Sequence, residues 1–155
     1  MPEIHIEEFY KDAAKVLIQL YNSFPRKSAV FVEDISGADT PDEFGLHSVR
    51  HQACFAAMIW LSEEGLIRFV DTIRQEAIDQ AVLTQPAFLK LNSLAVNQVV
   101  SPTLQRFITA LEESGDAMPN TAMSNIQLIK KALHKATSTQ LAELMQCILF
   151  APAQP

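Results

Sequence analysis

The residues best suited to chemistry lie close together in the first half of the chain. His47, His51 and Cys54 follow one another at intervals of four and three, which on a continuous helix puts all three on one face. Imidazole and thiolate are zinc ligands, but a closed structural zinc site needs four donors and the sequence offers no evident fourth. Two histidines near a helix start and a cysteine in its apolar part also arise without a metal, so the expectation is no metal and no cofactor. The same stretch carries a second chemistry. His47, Ser48, Arg50, His51 and Gln52 are hydrogen-bonding side chains at the head of a segment whose remainder, Ala53 to Leu61, is apolar nearly all round. A recognition helix reads base edges with its first residues while the rest packs in the core. A solvated helix end has the same composition.

Catalysis needs a nucleophile beside a base, or carboxylates in differing environments, and the sequence places neither. The acidic pairs Glu7 and Glu8, Glu63 and Glu64, and Glu112 and Glu113 fall near helix ends and faces, where solvated charge is the ordinary explanation. His5 and His134 stand in no recognisable catalytic context. With 4 glycines, none clustered, a phosphate-cradling loop is excluded. The expectation is a protein that is not an enzyme.

Charge bears on the choice between nucleic acid and protein as partner. The 155 residues carry a net charge of −6. Residues 1–94 hold 8 Lys and Arg against 14 Asp and Glu, while residues 95–155 hold 4 of each. Nonspecific affinity for DNA comes from neutralising phosphates, so an acidic domain must concentrate its few cations in one place. Beside Arg50 the candidates are Arg68 and Arg74, accompanied by Asp71, Glu76 and Asp79. Lys130, Lys131 and Lys135 read as the outer face of an amphipathic helix.

These residues are positioned by a helix-rich chain. Apolar residues make up 48% and charged residues 19%, a globular balance with some apolar surface to spare for a partner. Cys54 and Cys147 both lie in apolar stretches and suit buried thiols in a reducing compartment. No apolar run reaches the roughly 20 residues of a membrane span, and the start of the chain lacks a signal-like pattern, so a cytoplasmic protein is expected.

From Ile6 to Asn22, Phe9, Ala13, Val16, Leu17 and Leu20 recur at helical spacing, and Phe24-Pro25 ends that helix. Ser28 to Ile35 reads as a strand, Asp34 to Asp39 as a loop, and Thr40-Pro41-Asp42-Glu43 as a capped helix start. Gly45 limits that helix to a turn, Pro41 to Phe44, ahead of a longer helix from about Leu46 to Glu64. Gly65 closes it. A strand from Leu66 to about Thr72, a tip at Arg74-Gln75-Glu76 and a strand from Ala77 to Leu83 form a hairpin. Thr84 then caps a short helix to Leu94.

Helix, short strand, helical turn, longer helix and two-stranded hairpin form the order of a winged helix. Trp60-Leu61-Ser62-Glu63-Glu64-Gly65-Leu66-Ile67 resembles the end of the third helix and first wing strand of winged-helix regulators. Ala81-Val82-Leu83-Thr84 resembles the second wing strand leading into the next helix. The resemblance covers residues 6–94 and departs from the family in its very short second helix. The fold class expected is therefore mainly α with a small β-hairpin, winged-helix-like over residues 1–94, with a helical extension over 95–155. In that extension Ser101-Pro102 starts a helix with Leu104, Phe107, Ile108 and Leu111 on one face, Gly115 to Asn120 breaks the chain, and Thr121 to Phe150 forms one helix or two, jointed at Thr137-Ser138-Thr139.

The function expected from these observations is a non-enzymatic interaction or regulatory module acting through protein contacts, as a homodimer or with another protein and without a membrane role. The alternative is a sequence-specific DNA-binding regulator using His47, Ser48, Arg50, His51 and Gln52, with Arg74 at the wing.

Overall fold

The computed structural model describes residues 3–93, 102–115 and 123–149. The expected Ser101 cap, the break from Gly115 to Asn120 after its first residue and the expected helix ends at Leu94 and Phe150 lie outside the described residues. The chain is mainly α-helical with a small antiparallel sheet. It divides into two compact units, Met1–Phe88 and Leu89–Pro155.

The first unit opens with α1 (Ile4–Ser23), whose Ala13, Val16, Leu17 and Leu20 are buried. Strand β1 (Ser28–Phe31) follows and passes directly into α2 (Val32–Ser36). The strand expected to run on to Ile35, with a loop after it, therefore stops early. Val32 and Ile35 are both buried, three apart on one helical face, the Ser36 hydroxyl donates to the Val32 carbonyl, and Gly37 ends the turn at φ 99°.

The helical turn expected at Pro41 to Phe44 is not helical. The Asp42 carboxylate accepts from the backbone N–H groups of Phe44 and Leu46, and the Asp42 N–H donates to the Leu46 carbonyl, folding the segment into a closed turn. An aspartate that binds nearby backbone offers the chain an alternative to a helix, and here that alternative prevails. Helix α3 (Val49–Glu63) consequently starts later than Leu46. Its cap is Ser48, whose hydroxyl accepts from the His51 N–H at 3.2 Å.

Strands β2 (Ile67–Arg68), β3 (Asp71–Ile73) and β4 (Ala77–Leu83) complete the sheet, with β4 in the middle. β1 runs along one edge of β4, pairing Val30 with Ile78 and Phe31 with Ala77. On the other edge β2 pairs Ile67 with Leu83 and β3 pairs Ile73 with Ala77. The single strand expected from Leu66 to Thr72 is thus broken at Phe69 and Val70. Its partner carries a left-handed residue, Gln80 at φ 53°, where β4 also inserts an extra residue against β1. Helix α1 packs on α3, and α2 on both. At the end of the unit the Thr84 hydroxyl donates to the Gly65 carbonyl at 2.6 Å and accepts from the Ala87 N–H at the start of α4 (Gln85–Asn92).

The second unit takes in the end of α4 and holds α5 (Pro102–Glu113), α6 (Asn125–Lys135) and α7 (Ser138–Leu149). Phe107 and Leu111 of α5 are buried, as are Ile126, Ile129, Leu141, Leu144 and Met145, and α7 packs on both α5 and α6. The stretch read as one helix or two is two. Thr137 is the joint: its hydroxyl accepts from the Gln140 N–H while its own N–H donates to the Gln140 side chain.

Candidate functional site

The short α2 and the closed turn at Asp42 bring the chain back across the start of α3, and this return delivers Asp39 to the two histidines. Asp39 Oδ2 lies 2.9 Å from His47 Nδ1 and 3.8 Å from His51 Nδ1. The imidazole rings are stacked, their centroids 3.7 Å apart and their planes within 7°. One donor atom from each of the three residues falls within 4.8 Å of the others. His51 is 2% exposed, and the side chains of Asp39 and His47 are 10% and 13% exposed, so the cluster is close to closed against solvent.

Asp39 is held as a carboxylate. Its pKa is lowered to about 2, first by the hydrogen bond from the Ser48 hydroxyl, with His47 and the Ser48 N–H adding to it against the opposing effect of desolvation.

The far edges of both rings face acceptors. His51 Nε2 is 3.0 Å from the Gln75 carbonyl, and His47 Nε2 is 3.9 Å from a Glu76 carboxylate oxygen. A carbonyl can only accept, so His51 Nε2 carries a hydrogen. His51 Nδ1 is buried with no hydrogen-bond partner and faces Asp39. In a neutral ring it presents a bare lone pair toward a carboxylate oxygen, and that juxtaposition calls for something positive between the two.

Cys54 does not belong to this cluster. His47 precedes the Ser48 cap, so regular helical spacing does not connect it to the cysteine. The Cys54 thiol is fully buried and pushed up to about 12, by desolvation first and then by the charge of Asp12. Sequence spacing paired the histidines with the wrong third residue because Asp39 reaches them only through the fold of the connecting loop. A half-open cavity of about 180 Å³ adjoins His51 and is lined also by Gln52, Phe55 and Gln75.

The remaining residues considered for DNA contact are placed as follows. Arg50 turns inward to Asp12 and Glu8, its Nη1 2.7 Å from Asp12 Oδ2. Ser48 is occupied by its cap and by Asp39. Gln52 donates to the His47 carbonyl from an exposed position. Arg74 is exposed at the hairpin tip. Chemically, the cluster is a two-histidine, one-carboxylate set with the Gln75 carbonyl fixed behind His51.

Comparison of the chain with family models, curated proteins and solved structures returned no match. Function is therefore read from this geometry. Among the described residues no helix is long and apolar enough to cross a membrane.

Proposed function

We propose that the first unit is a winged-helix-type module acting through protein contacts, as a homodimer and not as an enzyme. The winged-helix reading is supported by the order of helix, strand, short helix, longer helix and hairpin, with β4 between β1 and the β2 and β3 arm. The five-residue α2 is the point of departure from the family pattern.

The observation that carries the functional reading is the character of the surface leading into α3. Phe44, Leu46 and Val49 are 80%, 61% and 83% exposed. The one cation in this stretch, Arg50, is committed to Asp12. A surface that presents large apolar side chains and holds its arginine inward suits a protein partner better than a phosphate backbone. Both cysteines are free thiols, which fits a cytoplasmic setting.

Sedimentation of the full chain tests this. The expected result is a concentration-dependent dimer that the Leu46→Asp, Val49→Asp pair dissociates without unfolding. A chain that stays monomeric and instead retains DNA, with steep loss in salt and in Arg74→Ala, would overturn it in favour of the DNA-binding reading.

A further inference from the structure

We propose that Asp39, His47 and His51 form a binding site for one divalent transition-metal ion, held by Asp39 Oδ2 and the Nδ1 atoms of both imidazoles. This site is distinct from the apolar contact surface and stands or falls independently of it.

Three observations carry it. First, the spacing is right. Zinc binds nitrogen and carboxylate oxygen at about 2.0–2.2 Å, which in a tetrahedron separates neighbouring donors by about 3.4 Å. The two separations from Asp39 Oδ2, 2.9 and 3.8 Å, bracket that value. The rings, now stacked in parallel, must splay for both in-plane lone pairs to point at one ion.

Second, His51 Nδ1 is an unpartnered donor atom buried in the core and aimed at the carboxylate. A buried polar atom left unsatisfied is destabilising, so the fold maintains it at the expense of its own stability. The carboxylate does not relieve it, because 3.8 Å is beyond hydrogen-bonding distance. A cation between the two satisfies both.

Third, the outer partner of His51 is already in place. Metal-binding histidines characteristically give their other N–H to a carbonyl or carboxylate, which fixes the tautomer and turns the lone pair to the ion. Gln75 supplies the carbonyl for His51, whereas the Glu76 carboxylate, 3.9 Å from the far nitrogen of His47, must close in to bond it once an ion displaces the Nδ1 hydrogen that now faces Asp39. Both come from the hairpin tip. The Ser48 N–H, bonded to the same Oδ2, and the Ser48 hydroxyl hold Asp39 in place.

The donor set identifies the class of ion. Imidazole suits zinc, cobalt, nickel and iron, whereas magnesium and calcium favour all-oxygen sites. With three protein ligands, water completes the coordination and the site keeps an exchangeable position.

Titration of the chelator-treated full chain with Zn²⁺ and Co²⁺ tests the proposal. One equivalent of Zn²⁺ is expected to bind in the presence of excess Mg²⁺. Asp39→Asn and His47→Ala should each weaken binding by at least about 100-fold, since even outer-ring partners are worth roughly 10- to 100-fold. His5→Ala should leave it unchanged. The wild-type protein gives a readout that does not depend on any variant folding. With Co²⁺ bound, two exchangeable, paramagnetically shifted imidazole N–H protons should appear, one for each Nε2 left protonated by Nδ1 ligation. The near-ultraviolet thiolate-to-cobalt band expected of a His47, His51 and Cys54 site should be absent. Failure of folded wild-type protein to bind one equivalent, binding indifferent to both ligand variants, or a cobalt–thiolate band would overturn the assignment.

Discussion

Arg50 on α3 grips Asp12 on α1 with both terminal nitrogens, Nη1 2.7 Å from Oδ2 and Nη2 2.5 Å from Oδ1. Asp12 is 1% exposed, so its charge lies in the interface between the two helices with this guanidinium as its counterion. Removing one partner of a buried pair strands the other, typically at about 3–5 kcal/mol. Because the Arg50 side chain is 33% exposed and water can partly replace it, Arg50→Ala should cost about 2–4 kcal/mol. Arg50→Lys should recover only part of that, since an ammonium cannot make the two-point contact. Urea denaturation measures both, and a loss below about 0.5 kcal/mol for Arg50→Ala would place the pair among surface bridges of little consequence. The same coupling means that loss of DNA binding in Arg50→Ala would report on folding. Gln52 and Arg74 are the residues at which to ask about DNA.

The hairpin tip is held in a conformation that its residues do not favour. Arg74 and Gln75 have φ of 48° and 59°, and the Glu76 N–H closes the turn on the Ile73 carbonyl at 2.7 Å. Two successive left-handed residues are the mark of a type I′ turn, for which Asn-Gly is the favoured pair. An ordinary L-residue there costs roughly 1–2 kcal/mol. The Arg74→Asn, Gln75→Gly double variant should therefore stabilise the protein by about 1 kcal/mol, after allowance for glycine's greater freedom in the unfolded chain. His51 is bonded to the Gln75 backbone carbonyl, which glycine retains. A rise in Tm is expected, and a fall would mean that the side chains at the tip make stabilising contacts of their own.

How far the sequence announced these features depends on the range of the interaction that decides each one. The first helix, the tip at Arg74-Gln75-Glu76, the strand from Ala77 to Leu83 and the joint at Thr137 were legible, because periodicity, turn residues and caps act within a few positions. The turn at Pro41 to Phe44 misled because Asp42 fits a helix's first turn as well as it fits a closed loop, and local composition does not choose between them. The second helix at Val32–Ser36 was hidden inside a β-like run, where only tertiary burial of Val32 and Ile35 reveals the change in period. Asp39 was illegible as a partner of the histidines for the same reason: the segment between it and His47 is folded back by the Asp42 turn, which local composition does not reveal.

The two thiols should differ in reactivity. Cys54 is fully buried with its pKa pushed up to about 12, whereas Cys147 is partly exposed. The thiolate is the reactive form, and a group titrating near 12 supplies almost none of it at about pH 8. Alkylation of the folded protein at that pH should label Cys147 and spare Cys54, with both labelled in denaturant. Prompt labelling of Cys54 under native conditions would mean that α1 and α3 open readily around it.

In the second unit Asn125 supports the end of α4. Its Nδ2 donates to the Lys90 carbonyl and its backbone N–H to the Ser93 carbonyl, each at 2.8 Å, and it is 4% exposed. A helix C-terminus leaves carbonyls without intrahelical partners, and Asn125 satisfies one with a side chain that can donate. Asn125→Asp removes that donor and turns a carboxylate toward the same carbonyl, so two acceptors face each other away from water. Asn125→Leu removes the donor but introduces no charge, and it also eliminates the side-chain oxygen that has no partner now. Loss of a buried partner costs about 1–3 kcal/mol, with the larger penalty when the group left behind is charged. The aspartate variant should therefore be the less stable of the two, with faster amide hydrogen exchange at the end of α4 and the start of α6. Equal stability of the two variants would show that the introduced carboxylate escapes the penalty by taking up a proton or reaching water.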